Sequence, residues 1–85
     1  MQIVFSERAK DELDFWKKSG NQFTLNKIKR LLESIQQTPF EGIGKPELLK
    51  YDFAGLWSRR ITDEHRSVYS IEANKIIIYQ LRFYY

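Results

Sequence analysis

The chain has 85 residues, enough for a modest hydrophobic core, and we predict a single domain over residues 1–85. Hydrophobic residues at 42% and aromatic residues at 15% argue against a disordered chain, and a formal net charge of +3 weakly favours an anionic partner. The absence of cysteine excludes disulfides, thiolate metal sites and a cysteine nucleophile, and a single histidine argues against a histidine-based metal cluster, so no cofactor is expected.

The first residues predict a strand followed by a helix. The apolar run Gln2–Phe5 is typical of a short strand, Ser6 can cap the following helix, and Gly20 is a natural end for it. The residues of this helix that fall on one face are Ala9, Leu13 and Trp16. Acidic residues in this region argue against a signal peptide, and no apolar run is long enough to span a membrane. We therefore expect a soluble cytoplasmic protein without a membrane partner.

A second helix is predicted over about residues 23–37, before Pro39 ends it. Its apolar residues recur at helical spacing and are Leu25, Ile28, Leu31, Leu32 and Ile35. The basic residues of this helix fall elsewhere and indicate a solvated face rather than a binding surface.

From residue 47 onward the pattern changes to a period of two, which is typical of strands. Strands are predicted over residues 48–52, 56–61, 66–72 and 75–84, with a hairpin turn at Ala73 and Asn74. This order predicts an α+β fold in which two N-terminal helices pack on one face of a twisted, mainly antiparallel sheet.

Alternation along the strands predicts which residues share a face. In the last strand we expect the side chains toward the helices to be Ile77, Tyr79, Leu81 and Phe83. In the preceding strand Tyr69 and Ile71 are expected in the core. One concave, helix-free face is then expected to collect Arg60, Arg66, Arg82 and Tyr84.

Residues 57–66 are unusually rich in functional side chains, with three arginines, a tryptophan, two acids and the single histidine. The arginine guanidinium is always charged and presents a planar fork of donors that suits phosphate. We therefore predict a phosphate-binding surface here. His65 is expected to be a structural hydrogen-bonding residue, and Trp16 and Trp57 are expected in the core.

Three strings at fixed spacing carry a family resemblance: TPFEGIGKPE at 38–47, then Leu49-Lys50 and Gly55, then WSRRITDEHR at 57–66. With them, essentially the whole chain resembles the YoeB/Txe toxins of the RelE/ParE superfamily. The resemblance implies a RelE-like fold and the toxin of a type II toxin–antitoxin system, a ribosome-dependent endoribonuclease that cleaves mRNA in the A site by metal-independent attack of the 2′-hydroxyl. The implied partners are the 70S ribosome with its mRNA and a YefM/Axe-like antitoxin, and a homodimer is kept as a candidate assembly.

The resemblance also implies roles for individual residues. Glu47 matches the general base, Arg66 acts where charge develops on the phosphate, and Lys50 and Arg60 bind phosphate. Arg82 joins the phosphate-binding set on the basis of strand alternation. From the residues alone, Glu47 could instead be an ordinary ion-pair partner of Lys50 or Arg66.

The last two residues complete the expected catalytic set. The resemblance makes Tyr85 part of the site, whereas Tyr84 stands where better-known members have the histidine that is the presumed general acid. A phenol can donate a proton and offers a flat surface for a base, so we expect Tyr84 to act as the acid. From the residues alone, the pair could also be an ordinary frayed terminus.

Two alternative functions remain open at this stage. A ParE-like toxin shares the fold but inhibits DNA gyrase without nuclease chemistry, and the predicted set of Glu47, Lys50, Arg60, Arg66 and Tyr84 argues against it. The other alternative is a protein that occupies the ribosomal A site and blocks translation without cutting.

Overall fold

The computed structural model describes residues 1–85 and has two helices packed against a five-stranded sheet. In chain order the elements are β1 (Gln2–Phe5), α1 (Glu7–Ser19), α2 (Gln22–Gln37), β2 (Glu47–Leu48), a 3-10 turn (Tyr51–Phe53), β3 (Trp57–Arg60), β4 (Arg66–Glu72) and β5 (Lys75–Gln80). The strand order across the sheet is β1-β5-β4-β3-β2, and every pair is antiparallel except β1 with β5. The predicted α+β architecture is confirmed.

Side-chain caps define where both helices begin. The Ser6 hydroxyl accepts a hydrogen bond from the Ala9 N–H at 3.0 Å, and the Asn21 side chain accepts one from the Thr24 N–H at 3.0 Å. Helix α1 ends at Gly20, whose φ of 72° lies in the left-handed region, as the sequence predicted. Neither helix has the length and apolar character that crossing a lipid bilayer requires.

The core lies between the helices and one face of the sheet. Its buried members are Ala9, Trp16, Ile28, Leu31, Ile35, Ile61, Tyr69, Ile76, Ile78 and Leu81. The predicted apolar faces of both helices are confirmed, and Trp57 packs against this core from β3. The opposite face of the sheet carries no helix and is called the helix-free face below.

A β-bulge interrupts the pairing of β4 with β5. Tyr69 pairs with Ile78, but the adjacent Val68 pairs with Gln80, so Tyr79 is an additional residue on β5. An extra residue of this kind reverses the alternation of side chains beyond it. The Tyr79 hydroxyl lies 3.2 Å from the Ser70 hydroxyl on the helix-free face.

The bulge overturns half of the predicted face of β5. Ile76 and Ile78 are fully buried in the core, and the prediction that Ile77 and Tyr79 face the helices is wrong. Leu81 is buried as predicted, because the bulge returns it to the core side.

Two predicted strands are also too long. The strand expected over residues 48–52 is limited to Glu47–Leu48, and the chain then enters the 3-10 turn, where exposed Tyr51 has a φ of 57°. The last strand ends at Gln80, so Phe83 lies beyond it and is 48% exposed rather than in the core.

One of the arginines in residues 57–66 is structural. Arg59 is fully buried on the helix side of the sheet and makes five side-chain hydrogen bonds without any salt bridge to a carboxylate. The acceptors are the hydroxyls of Ser34 and Tyr69 and the carbonyls of Thr38, Glu41 and Ile43. Arg59 therefore ties the loop after α2 to the sheet, so the density of arginines in residues 57–66 is partly structural.

Candidate active site

Strand pairing places three of the expected site residues on the helix-free face. Glu47 of β2 pairs with Ser58 of β3, and Arg60, two residues along β3, pairs with Arg66 of β4. Paired residues point to the same side of a sheet, and residues two apart on a strand share a face. Glu47 is therefore a diagonal neighbour of Arg60, at a Cα separation of about 7–8 Å, with Arg66 one strand farther away.

The Arg66 guanidinium is fixed in place by its own turn. Its Nη1 donates to the carbonyls of Thr62 at 2.6 Å, His65 at 3.1 Å and Asp63 at 3.3 Å, and only 7% of the residue is exposed. Its Nε and Nη2 make no hydrogen bond within the chain, which leaves them available to an anion. A prepositioned guanidinium stabilises developing charge without reorganising at the moment of reaction.

Glu47 and Arg60 are more accessible than Arg66. Glu47 is exposed and is absent from the four salt bridges of the chain, so the alternative of an ion pair with Lys50 or Arg66 is wrong. The Arg60 side chain is 43% exposed and approaches the Asp63 carboxylate at 3.9 Å, which is a loose contact. Both groups are therefore free to meet a ligand.

The C-terminal segment, residues 81–85, brings its last two residues to the helix-free face. The Arg66 guanidinium lies 4.3 Å from the centre of the Tyr84 ring, and the Tyr84 and Tyr85 rings are 5.0 Å apart. The centre of the Tyr85 ring also lies 5.6 Å from that of the Phe53 ring. This contact joins the segment to the 3-10 turn that follows exposed Lys50. These ring contacts contradict the alternative of a frayed terminus.

Arg82 does not join this face. Its guanidinium carbon lies 3.5 Å from the centre of the Phe15 ring on α1 and 4.5 Å from that of Phe83, and its Nε is buried without a partner. The expectation that Arg82 converges with Arg60 and Arg66 is therefore wrong. That expectation requires regular alternation up to residue 84. The β-bulge and the end of β5 at Gln80 break this alternation.

Contacts from distant parts of the chain hold the C-terminal segment, and sequence reasoning missed most of them. The Glu12 carboxylate accepts a hydrogen bond from the Leu81 N–H at 2.8 Å, and the Trp16 Nε1 donates to the Leu81 carbonyl at 2.8 Å. His65 is a hydrogen-bonding residue, as predicted, and its Nδ1 accepts a bond from the Phe83 N–H at 2.8 Å. No sequence pattern could have paired groups 65 and 69 positions apart.

Away from this face, burial raises the pKa of the Tyr69 phenol, and the nearby Arg59 guanidinium opposes that rise. The Tyr69 hydroxyl donates to the Pro39 carbonyl at 2.6 Å, on the helix side of the sheet. No three His, Cys, Asp or Glu side chains are grouped so that they could hold a metal ion. The chemistry that the helix-free face offers is therefore a carboxylate, guanidinium groups and phenols.

Comparisons with known proteins cover the whole chain. Residues 5–85 match the profile of a family described as the YoeB-like toxin of bacterial type II toxin-antitoxin systems. The chain is 40% identical to Toxin YoeB of Escherichia coli K12 over 85 residues, covering 100% of both chains. It superposes on a YoeB/ParE toxin from Agrobacterium tumefaciens with a TM-score of 0.96, at 41% identity over 100% of both chains.

Two further solved structures show the toxin from Staphylococcus aureus, one as a YoeB dimer and one as a heterotetrameric YoeB-YefM toxin-antitoxin complex. Each matches with a TM-score of 0.90 and 38% identity, covering 100% of this chain and 98% of that chain. Fold, length and sequence therefore agree along the whole chain, which belongs to the family of YoeB-like toxins of bacterial type II toxin-antitoxin systems.

Proposed function

We propose that this toxin is an endoribonuclease that cuts mRNA in the A site of the 70S ribosome. One observation carries the proposal: an exposed carboxylate, Glu47, shares the helix-free face with Arg60 and Arg66, and the Tyr84 ring stacks on Arg66. Metal-independent RNA cleavage needs a base, positive charge at the phosphate and an acid, and this set contains each of them.

The proposed reaction uses the RNA itself as the nucleophile. The 2′-hydroxyl oxygen attacks the adjacent phosphorus while Glu47 accepts the hydroxyl proton. The bond from phosphorus to the 5′ oxygen breaks, and Tyr84 gives its proton to that oxygen. The products are a 2′,3′-cyclic phosphate and a free 5′-hydroxyl, and proton exchange with water restores both side chains.

The other members of the site bind the substrate. Arg66 stabilises the charge that develops on the phosphate, and Arg60 and Lys50 attract the RNA backbone. Tyr85 offers a ring on which an unpaired base can stack.

Dependence on the ribosome follows from what the site lacks. His65, the single imidazole, is bonded to the backbone of Phe83, so a carboxylate and a phenol must carry the proton transfers alone. A ribosome that fixes mRNA in an in-line geometry can supply about 7–11 kcal/mol in favourable cases. The toxin would then act in the cytoplasm, on messages that are being translated.

The same face suits an antitoxin. A cluster of guanidinium groups and partly exposed aromatic rings would be covered by an acidic segment that folds on binding, in the manner of a YefM-like partner. Co-purification with such a partner should give a stable complex that no longer binds RNA, and a complex that still cuts would contradict occlusion of the site. A homodimer is also proposed, and light scattering of the purified toxin tests it.

The decisive experiment compares naked mRNA with the same message in a translating complex, using primer extension to locate breaks. We expect cleavage only in the complex, and a loss of roughly a hundredfold or more in Glu47→Gln. Glu41→Gln is the matched control, because Glu41 is another exposed glutamate near the same loop and its side chain makes no hydrogen bond.

Three outcomes would contradict the proposal. Equal rates on both substrates would exclude dependence on the ribosome. Arrest of translation without breaks would indicate an A-site blocker, and inhibition of gyrase supercoiling would indicate a ParE-like toxin.

A further inference from the structure

The backbone of Phe83 adopts an unusual conformation immediately before Tyr84. Its φ of 69° lies in the left-handed region, which is unfavourable for a bulky residue. Such a conformation persists only where the surroundings enforce it, and such residues are common at functional sites. The Phe83 side chain is 48% exposed, so packing of its ring is not the main restraint.

Hydrogen bonds to both backbone groups of Phe83 supply the restraint. Its carbonyl accepts bonds from the Arg66 N–H and from the Gln80 Nε2, each at 2.9 Å. Its N–H donates to the Nδ1 of His65 at 2.8 Å, which is the single bond on that side. Because Nδ1 accepts this bond, the hydrogen of the neutral imidazole is on Nε2.

The His65 ring is itself oriented by the helix layer. It makes an edge contact with the Trp16 indole, with ring centres 4.9 Å apart and planes at 83°. Trp16 is buried and donates to the carbonyl of Leu81, so one tryptophan holds both the imidazole and the start of the C-terminal segment. His65 therefore links helix α1 to the kink at Phe83.

We propose that His65 is a positioning residue that acts through its Nδ1. By holding the Phe83 N–H, it maintains the kink that directs the Tyr84 ring over the Arg66 guanidinium. This inference rests on the proposed cleavage activity, for which Tyr84 and Arg66 are the acid and the charge-stabilising group. His65 itself touches neither the substrate nor the reacting atoms.

A pair of matched substitutions separates Nδ1 from Nε2. The side-chain oxygen of asparagine can occupy the position of Nδ1, whereas that of glutamine extends to the position of Nε2. We expect His65→Asn to cut ribosome-bound mRNA near the wild-type rate and to keep the Phe83 amide protected from hydrogen exchange. We expect His65→Gln to lose that protection and to cut roughly tenfold more slowly at saturating toxin, with unchanged ribosome affinity.

Several results would overturn this role. Wild-type activity in both variants would contradict a function of Nδ1. Activity that is kept in His65→Gln and lost in His65→Asn would also contradict it. If the wild-type toxin does not cut, the proposed function fails, but exchange of the Phe83 amide still decides whether His65 holds the kink. If His65→Gln does not fold, ¹⁵N NMR of the wild-type imidazole decides, and a hydrogen on Nδ1 would overturn the proposal.

Discussion

Replacing Arg59 with lysine should remove a large share of the stability of the fold. Arg59 donates five side-chain hydrogen bonds from three nitrogens. Lysine has one side-chain nitrogen, which cannot reach all five acceptors. Losing two bonds from a charged donor, at about 1.5–3 kcal/mol each, gives a loss of about 3–6 kcal/mol. A domain of this length has a total stability of about 4–13 kcal/mol.

Thermal and urea unfolding followed by circular dichroism measure this loss. A destabilisation of about 3 kcal/mol should lower the unfolding midpoint by at least about 12 °C in a domain of this size. The control is Arg60→Ala at the neighbouring position, where the side chain makes only a loose 3.9 Å contact with exposed Asp63. We expect that variant to keep its stability and to cut RNA more slowly. An Arg59→Lys midpoint within about 3 °C of the wild type would refute the structural role assigned to Arg59.

Three further substitutions test other parts of the chain. Tyr84→Phe keeps the ring on Arg66 but removes the phenol proton. Single-turnover cleavage should therefore be roughly a hundredfold slower, with unchanged ribosome binding. Cleavage at the wild-type rate would show that Tyr84 acts only as a stacking surface. Tyr51→Gly should raise the free energy of unfolding in urea by roughly 0.5–1 kcal/mol, because glycine relieves the strain of a φ of 57° at a residue that is 92% exposed. The control is Ala54→Gly, at a φ of −55°, which should lower the free energy of unfolding. Burial raises the pKa of the Tyr69 phenol, so at alkaline pH the folded chain keeps a proton that the unfolded chain loses. The contribution of this phenol to stability should be full below about pH 10 and should fall as the pH rises further. This alkaline fall in urea midpoints should be smaller in Tyr69→Phe, and an identical fall would contradict the assignment.

The sequence predicted most of the fold, because local signals agree with the tertiary structure there. Ser6 and Gly20 mark the ends of α1, and Ala73 and Asn74, with φ values of 48° and 61°, form the expected hairpin turn. The face of β5 could not be predicted. One extra residue, Tyr79, reverses the alternation, and a bulge of this kind depends on pairing with β4 rather than on the composition of the strand itself.

The sequence predicts the shared face of some candidate site residues and not of others. Alternation and register agree for Arg60 and Arg66, so their shared face was predicted correctly. Regular alternation beyond Gln80 would put Arg82 on that face, but β5 ends at Gln80 and the Arg82 guanidinium packs on Phe15 of α1. Arg59 belongs to the same arginine-rich segment, and only the fold shows that its partners are carbonyls and hydroxyls rather than phosphate.

The position of β5 in the sheet affects when the fold can be completed during synthesis. Strand β1 has β5 as its sole partner, and that parallel pairing joins Gln2 to Lys75. During synthesis β1 therefore cannot pair until almost the entire sequence has been made. The loop between β1 and β5 is long, and contacts that close a long loop form late in folding. Tyr84 and Tyr85 emerge later still. Completion of the sheet is thus a late event in synthesis, because the strand that β1 pairs with is the last of the five to be made.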